Sequence, residues 1–151
     1  MTQERDIPAV TIRDMLLGDY NAVQRLWIDA GLSFRPRGRD SLENVAVQLE
    51  QGTSVFLLAE VDGELAGVVL GTHDGRKGWI NRLAVASAYR RRGIARLLVS
   101  EVEARLAALG LEITAALIET PNEESFAFFQ AIGYIYDAEI EYVSRRRSAE
   151  T

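Results

Sequence analysis

The chain has 151 residues, of which 48% are hydrophobic and 26% charged, so it suits one globular domain over residues 1–151 and is unlike a disordered chain. It has no cysteine and one histidine, which excludes disulfides, zinc-thiolate sites, a cysteine nucleophile and a multi-histidine metal site. Its net charge of −5 argues against nucleic-acid binding as the main activity, and the lack of a long apolar run or a signal peptide predicts a cytoplasmic protein without a membrane partner.

The first part of the chain predicts one strand and two helices. Hydrophobic periodicity and turn residues give a strand at residues 9–13, a helix at 20–30, a polar loop at 33–40 and a helix at 41–51. Asp19 is the predicted N-cap of the first helix. Asp40 and Glu43 form the predicted capping box of the second helix.

The centre of the chain predicts an antiparallel meander. Apolar, β-branched runs occupy residues 54–61, 65–72 and 79–85. The first two are followed by the turns Asp62-Gly63 and Asp74-Gly75. Because Asp-Gly between apolar runs is a strong hairpin signal, we expect three consecutive strands to pair here.

The last part of the chain predicts alternating helices and strands. The predicted elements are a helix at residues 94–109, a strand at 112–118, a helix at 121–132 and a strand at 134–143. We expect the tail from about residue 145 to be disordered. The whole order predicts a mixed α/β (α+β) fold with a mostly antiparallel mixed sheet of about six or seven strands and about four helices, not a doubly wound parallel sheet.

An arginine-rich turn joins the third strand of the meander to the long helix. Leu83-Ala84-Val85 ends the strand, and Arg90-Arg91-Arg92-Gly93 leads directly into the helix. The first amides of a helix have no intrahelical partner, and arginines add charge-assisted hydrogen bonds, so this turn predicts a phosphate site. The alternative is a solvated charge run with an ordinary turn glycine.

These residues, with others at fixed spacing, resemble the GNAT superfamily of acyl-CoA-dependent N-acetyltransferases. The motif [Q/R]-x-x-G-x-[G/A] is met by Arg90, Gly93 and Ala95, and further matching positions are Leu83, Val85, Asn122, Ser125, Gly133 and Tyr134. The resemblance covers nearly the whole chain. It implies a GNAT fold whose sheet is splayed after the fourth strand, with acetyl-CoA in the gap.

The resemblance also implies which residues bind the co-substrate. The backbone of Leu83, Ala84 and Val85 is expected to pair with the pantetheine arm, and the amides from Arg91 to Arg96 to hold the pyrophosphate. Asn122 is expected to reach the pantetheine. The full expected set is Leu83, Ala84, Val85, Arg90, Arg91, Arg92, Gly93, Ile94, Ala95, Arg96, Asn122 and Phe129.

The sequence departs from the family at the positions of acid–base residues. Phe129 stands where many relatives carry a tyrosine acid, and Trp79 and Leu117 stand where relatives carry a glutamate base. Glu119 is the remaining candidate catalytic base, with an exposed loop carboxylate as the alternative. Asn81, as a strand residue beside the site, is a candidate for orienting substrate.

Phe34 and Arg35 lie where the family builds its substrate mouth, and Arg35 could pair with an acidic substrate. The favoured function is therefore acetyl transfer from acetyl-CoA to a primary amine of a small molecule or peptide, by direct attack in a ternary complex. The alternatives are a catalytically inactive acyl-CoA-binding protein and, less favoured by the charge, a nucleic-acid binder. No metal is expected, and a homodimer is an open alternative.

Overall fold

The computed structural model describes residues 9–151, which form five strands, four α-helices and two short 3-10 turns. The strands are β1 (Val10–Asp14), β2 (Ser54–Val61), β3 (Glu64–His73), β4 (Gly78–Val85) and β5 (Thr114–Ala116). The helices are α1 (Tyr20–Asp29), α2 (Leu42–Glu50), α3 (Ile94–Ala108) and α4 (Glu123–Ala131). Within residues 9–151 no helix has the length and apolar character needed to cross a membrane. The first eight positions, where the sequence predicts no signal peptide, lie outside the described residues.

The five strands form one sheet in the order β1-β2-β3-β4-β5. Neighbours from β1 to β4 pair antiparallel, and β4 pairs with β5 in parallel. The expected mixed, mostly antiparallel sheet is confirmed, and both Asp-Gly turns lie between paired strands. Within the described residues the sheet has five strands, fewer than expected from the sequence.

The missing strand is the one predicted at residues 134–143, which adopt no regular secondary structure. Apart from Tyr134, which packs against the core, their large apolar side chains face solvent: Ile135 is 92% exposed and Val143 is 89% exposed. A β-prone sequence becomes a strand only where a neighbouring edge can pair with it. The adjacent strand β5 has three residues instead of the seven predicted, so it offers a short edge.

Two apolar layers cover the two faces of the sheet. One face packs against α3 through the buried residues Leu57, Val69, Ile80, Ile94, Leu98, Val102 and Leu106. The other face packs against α1 and α2 through Val23, Trp27, Val45, Phe56, Leu58, Val68 and Ala84. Because β2 and β3 are buried on both sides, their sequences read as continuous apolar runs instead of alternating ones.

Helix α3 lies close to the sheet because small residues lie beneath it. A Cβ at Gly71 would stand 2.9 Å from Val102 Cγ1, and one at Gly67 would stand 3.0 Å from Ile94 Cγ2. Both distances are shorter than normal carbon contacts, so only glycine allows this approach. The glycines thereby fix where the N-terminal end of α3 stands relative to β4.

The start of α2 differs from the sequence prediction. Its N-cap is Ser41, whose Oγ accepts a hydrogen bond of 3.2 Å from the Asn44 amide. The predicted capping box of Asp40 and Glu43 is therefore wrong. Asp40 is buried instead, with 5% of its surface exposed, and its carboxylate bonds elsewhere. Asp19 does occupy the N-cap of α1, but its carboxylate pairs with Arg13.

Candidate active site

A cleft opens where β4 and β5 separate. The two strands pair only over Gly78–Ile80 and Thr114–Ala116. Beyond Ile80 they diverge and leave a cleft of about 1170 Å³ between them. The splay expected after the fourth strand is present, and it opens alongside the last five residues of β4. The C-terminal end of β4 is therefore a free sheet edge that forms one wall of the cleft.

A β-bulge at Asn81 determines which backbone groups face the cleft. Arg82 pairs with Leu70 and Ile80 with Gly71, so Asn81 is the extra residue between them. The Gly78 amide donates toward β5, to Ile113 O at 2.8 Å, whereas the Ala86 amide donates toward β3, to Ala66 O at 2.8 Å.

This switch of direction follows from the bulge, because backbone groups alternate along a strand and an extra residue reverses the alternation. Past the bulge, even-numbered residues bond to β3. The amide and carbonyl groups of Leu83 and Val85 therefore point into the cleft without a partner strand, as an added extended chain would require.

The arginine-rich turn forms a second wall with its amides exposed. Gly93, the N-cap of α3, has φ 75°, and Arg91 has φ 64°. A positive φ is uncommon for a residue with a side chain, and a turn that contains left-handed residues can direct its successive N–H groups toward one concave point. The first intrahelical bond of α3 is from Leu97 N to Gly93 O, at 3.1 Å. The amides of Ile94, Ala95 and Arg96 thus have no intrahelical partner.

The side chains of the turn do not all face the cleft. Its lining includes Arg90, Arg91, Gly93, Ile94, Ala95 and Arg96. The guanidinium of Arg92 instead lies 5.4 Å from the ring centre of Tyr89. Arg90 spans the mouth of the cleft and lies 3.9 Å from a carboxylate oxygen of Glu124, in the first turn of α4. Three arginines and the helix amides therefore meet at this end of the cleft.

The opposite wall follows β5 into α4. Glu119 is exposed and lines the cleft, and its negative charge acts on the Arg82 guanidinium across it. Asn122 is the N-cap of α4, and its Oδ1 accepts a 3.1 Å hydrogen bond from the Ser125 amide. Since the carbonyl oxygen is engaged in capping, the amide Nδ2 of Asn122 is the group available to a ligand.

The positions where relatives carry acid–base residues hold apolar side chains, two of which, Phe129 and Leu117, line this cleft. Phe129 is 7% exposed and lines the cleft floor, with its ring centre 5.0 Å from that of Tyr134. Leu117 is half-exposed in the same wall. Trp79 lies under the Lys77 ammonium, which is 5.2 Å from its ring centre. Burial raises the pKa of the Tyr134 hydroxyl, which therefore stays protonated at neutral pH.

The far end of the cleft contains an ion pair that sequence reasoning missed. Arg82 Nη2 lies 2.8 Å from Asp40 Oδ2, and the two side chains are 10% and 7% exposed. Arg82 also donates to Ser33 O, and its guanidinium lies 5.1 Å from the Trp27 ring centre. The same Asp40 oxygen accepts the Arg35 amide at 2.7 Å. Burial lowers the pKa of Arg82, and the Asp40 charge opposes that shift.

This ion pair attaches the loop between α1 and α2 to β4. We call the region the acceptor end of the cleft; it is lined by Ser33, Arg39, Asp40, Arg82, Glu119 and Arg146. The only sequence signal for it was a charged residue, Arg82, inside an apolar strand. Its partner could not be identified because Asp40 is 42 residues away in the chain.

Residues expected at the substrate mouth have mixed locations. Asn81 lines the cleft and donates from Nδ2 to Thr72 Oγ1 at 2.7 Å. Phe34 packs against Trp27, with ring centres 5.8 Å apart, and is not among the lining residues. Arg35 also lies outside the lining, and its Nε is buried without a hydrogen-bond partner. His73, which the sequence places beside a turn, is the last residue of β3, and its Nδ1 accepts the Gly75 amide at 3.2 Å.

A metal site is not formed by the described part of the chain, since residues 9–151 contain no group of three or more histidine or carboxylate side chains able to hold an ion. The cleft offers backbone donors, arginines and two exposed carboxylates, Glu119 and Glu124, the second of which lies beside Arg90. Such a set suits an extended ligand with a phosphate group at one end and a reacting group near Glu119.

Comparisons with known proteins identify the family. The chain matches the Acetyltransferase (GNAT) family model over residues 20–134. It is 32% identical over 123 residues to a curated acetyltransferase of Pectobacterium atrosepticum, covering 82% of this chain and 86% of that protein.

Solved structures share the fold. The PaiA N-acetyltransferase from Thermoplasma acidophilum, in complex with coenzyme A, has a TM-score of 0.77 at 18% identity, covering 85% of this chain and 91% of that one. The aminoglycoside N-acetyltransferase AAC(6')-Iy, in complex with CoA, has a TM-score of 0.76 at 19% identity, covering 95% of this chain and 99% of that one. From the family model and the curated relative, the chain belongs to the GNAT family of acetyltransferases.

Proposed function

We propose that this protein transfers an acetyl group from acetyl-CoA to a primary amine, by direct attack of the amine in a ternary complex. The observation that carries the proposal is that two sets of unpaired backbone groups face one cleft. One set is the free edge of β4 at Leu83 and Val85, and the other is the first turn of α3. An extended chain with amides that ends in a pyrophosphate is complementary to both sets.

Different residues of the cleft are placed to bind different parts of acetyl-CoA. Leu83 and Val85 are placed to hydrogen-bond the amides of the pantetheine arm as an added strand would. The amides from Ile94 to Arg96, with the guanidiniums of Arg90 and Arg91, are placed to hold the pyrophosphate. The Nδ2 group of Asn122 can donate to the arm from the opposite wall.

The thioester of acetyl-CoA supplies the acetyl group. Two proton transfers accompany the reaction: the attacking amine loses a proton, and the departing thiolate gains one. Glu119, exposed in the wall of the cleft, can accept the proton that the amine loses, directly or through one water. A thiol has a pKa near ~8.5, so the departing thiolate can take its proton from water without an acid at Phe129.

The acceptor amine should be weakly basic. Deprotonating a lysine amine of pKa ~10.4 at pH 7 costs about 4.6 kcal/mol, whereas an α-amine of pKa ~7.8 costs about 1 kcal/mol. A cleft with a single candidate base therefore favours α-amines. Free thiol released from acetyl-CoA, measured against a panel of amines, tests the proposed function. We expect release that depends on the amine, and absence of release with every amine contradicts the proposal.

Replacing Glu119 by Gln tests its role as the base. We expect kcat/KM at low pH to fall about 100-fold, because general base catalysis contributes ~10²–10⁴-fold. The deficit should shrink as pH rises through the amine pKa, since free amine then needs no base. Glu123→Gln is the matched control, because Glu123 is exposed in the first turn of α4 and does not line the cleft. If the ratio of variant to wild-type kcat/KM stays near one at every pH, Glu119 is only an exposed loop carboxylate and not the base.

A second candidate function is acyl-CoA binding without catalysis, favoured by the buried, hydroxyl-free ring of Phe129 at the cleft floor. Phe129→Tyr separates the two candidates. If the protein is an enzyme whose leaving thiolate lacks an acid, the added hydroxyl should maintain or raise kcat, by up to ~100-fold where it aligns. If neither the wild type nor Phe129→Tyr releases thiol, and both bind acetyl-CoA, the result favours a protein that binds acyl-CoA without catalysis.

A further inference from the structure

The charges at the acceptor end of the cleft indicate what the amine substrate carries besides its amine. Of the five charged side chains that line this end, two neutralise each other. Asp40 and Arg82 are paired at 2.8 Å and nearly buried. The same Asp40 oxygen also accepts the Arg35 amide, so both hydrogen bonds of this carboxylate are made within the protein. The charges left for a ligand are those of Arg39, Arg146 and Glu119.

Arg39 has hydrogen-bonding groups to spare. Its Nε lies 4.0 Å from Asp40 Oδ2, an oxygen already bonded to Arg82, and its side chain is 44% exposed. No other carboxylate within residues 9–151 lies in ion-pair range of Arg39. A guanidinium has five N–H donors in a planar fork, which matches a carboxylate in two parallel bonds.

Arg146 reaches the same end from the C-terminal tail. The tail packs on the loop that carries Arg39: Arg37 lies 3.3 Å from the Glu150 carboxylate, and a Cβ at Gly38 would stand 3.6 Å from Thr151 Cα. Arg146 then donates to Thr151 O at 3.2 Å and lines the cleft. Within residues 9–151 this is the one hydrogen bond of the Arg146 side chain, and a guanidinium has five N–H donors, so further donors are left for a ligand.

We infer that the acceptor is an amine that also bears a carboxylate, whose amine lies at Glu119 and whose carboxylate is bound by Arg39 and Arg146. This inference rests on the proposed function and names its substrate class. A polycationic amine is disfavoured, since its additional ammonium groups would face two arginines and find one carboxylate, Glu119, already needed for the reacting amine.

A matched pair of acceptors tests the inference at constant amine chemistry. Glycyl-glutamate amide and glycyl-glutamine amide have the same α-amine and differ in one carboxylate. We expect kcat/KM in the thiol-release assay to be about tenfold or more higher for the glutamate compound, the effect of one charge-assisted interaction. Spermidine, a polycation, should be a poorer acceptor than either. Equal values for the two dipeptides, or a preference for spermidine, overturn the inference.

Arginine variants assign the preference to named side chains. Arg39→Gln and Arg146→Gln should each bring the ratio between the two dipeptides toward one, by lowering kcat/KM for glycyl-glutamate amide more than for glycyl-glutamine amide, while the Kd for acetyl-CoA changes less than about twofold. Arg145→Gln is the matched control, because Arg145 belongs to the same tail but does not line the cleft. An unchanged ratio in both variants overturns the assignment.

Binding measurements test the carboxylate preference even if the protein shows no turnover. Titrated into CoA-saturated protein, glycyl-glutamate amide should bind about tenfold more tightly than glycyl-glutamine amide. This result with no thiol release would reject acetyl transfer and leave the carboxylate preference standing. Equal affinities with normal thiol release would do the reverse.

Discussion

Asp40→Ala is expected to lower the free energy of unfolding by about 3–5 kcal/mol, the cost of leaving a buried charge without its partner. The charge left behind is that of Arg82, whose side chain is 10% exposed. The loop between α1 and α2 loses its attachment to β4 in the same change, since Asp40 also accepts the Arg35 amide. Urea denaturation monitored by circular dichroism measures the difference.

Two controls show whether the loss of stability in Asp40→Ala comes from leaving a buried charge without its partner. Asp14→Ala breaks the pair between Asp14 and Arg105, whose side chains are 64% and 37% exposed, and should cost no more than about 1 kcal/mol. The double variant Asp40→Ala with Arg82→Met should recover part of the loss, because no uncompensated charge stays buried. If Asp40→Ala costs no more than Asp14→Ala, the ion pair does not hold the acceptor end together.

Gly93→Leu is expected to weaken acetyl-CoA binding about 100-fold or more, the equivalent of about two lost charge-assisted hydrogen bonds. Gly93 lines the cleft, and a Cβ there meets no protein atom within 4 Å. The new side chain therefore extends into the space where the pyrophosphate is expected, without disturbing the core. Calorimetric titration with acetyl-CoA measures the loss.

The control for Gly93→Leu must reproduce its backbone strain. Gly93 has φ 75°, so any side chain there costs about 1–2 kcal/mol in folding. Gly75 has φ 83° and also meets no atom within 4 Å, and it lies in the turn between β3 and β4, away from the cleft lining. Gly75→Leu should therefore lose similar stability and bind acetyl-CoA normally. Equal affinity in the two variants would remove the phosphate role from the α3 turn.

Local signals in the sequence were enough to predict much of the fold. Asp-Gly turns gave the β2-β3-β4 meander, and helical periodicity after Gly93 gave α3, because both depend on residues close together in the chain. The resemblance to the GNAT superfamily is confirmed by the family match over residues 20–134. The roles assigned to individual residues of the cleft stay predictions.

Features that depend on distant residues could not be predicted. The bulge at Asn81 depends on the register of β3 against β4 and has no local signal, yet it decides that Leu83 and Val85 face the cleft. The Asp40–Arg82 pair joins two separate elements, and the short local pattern at Asp40 pointed to a helix cap instead. Residues 134–143 have the composition of a strand, but pairing depends on an edge that the sequence does not reveal.

The central claim is that the free edge of β4 binds the pantetheine arm of the co-substrate, and amide hydrogen exchange resolved by NMR tests it most directly. On addition of CoA, exchange at the Leu83 and Val85 amides should slow markedly more than at Ala84, whose amide already bonds to β3. If CoA binds while Leu83 and Val85 exchange no more slowly, relative to Ala84, than in the free protein, the ligand does not lie along β4 and the claim is contradicted.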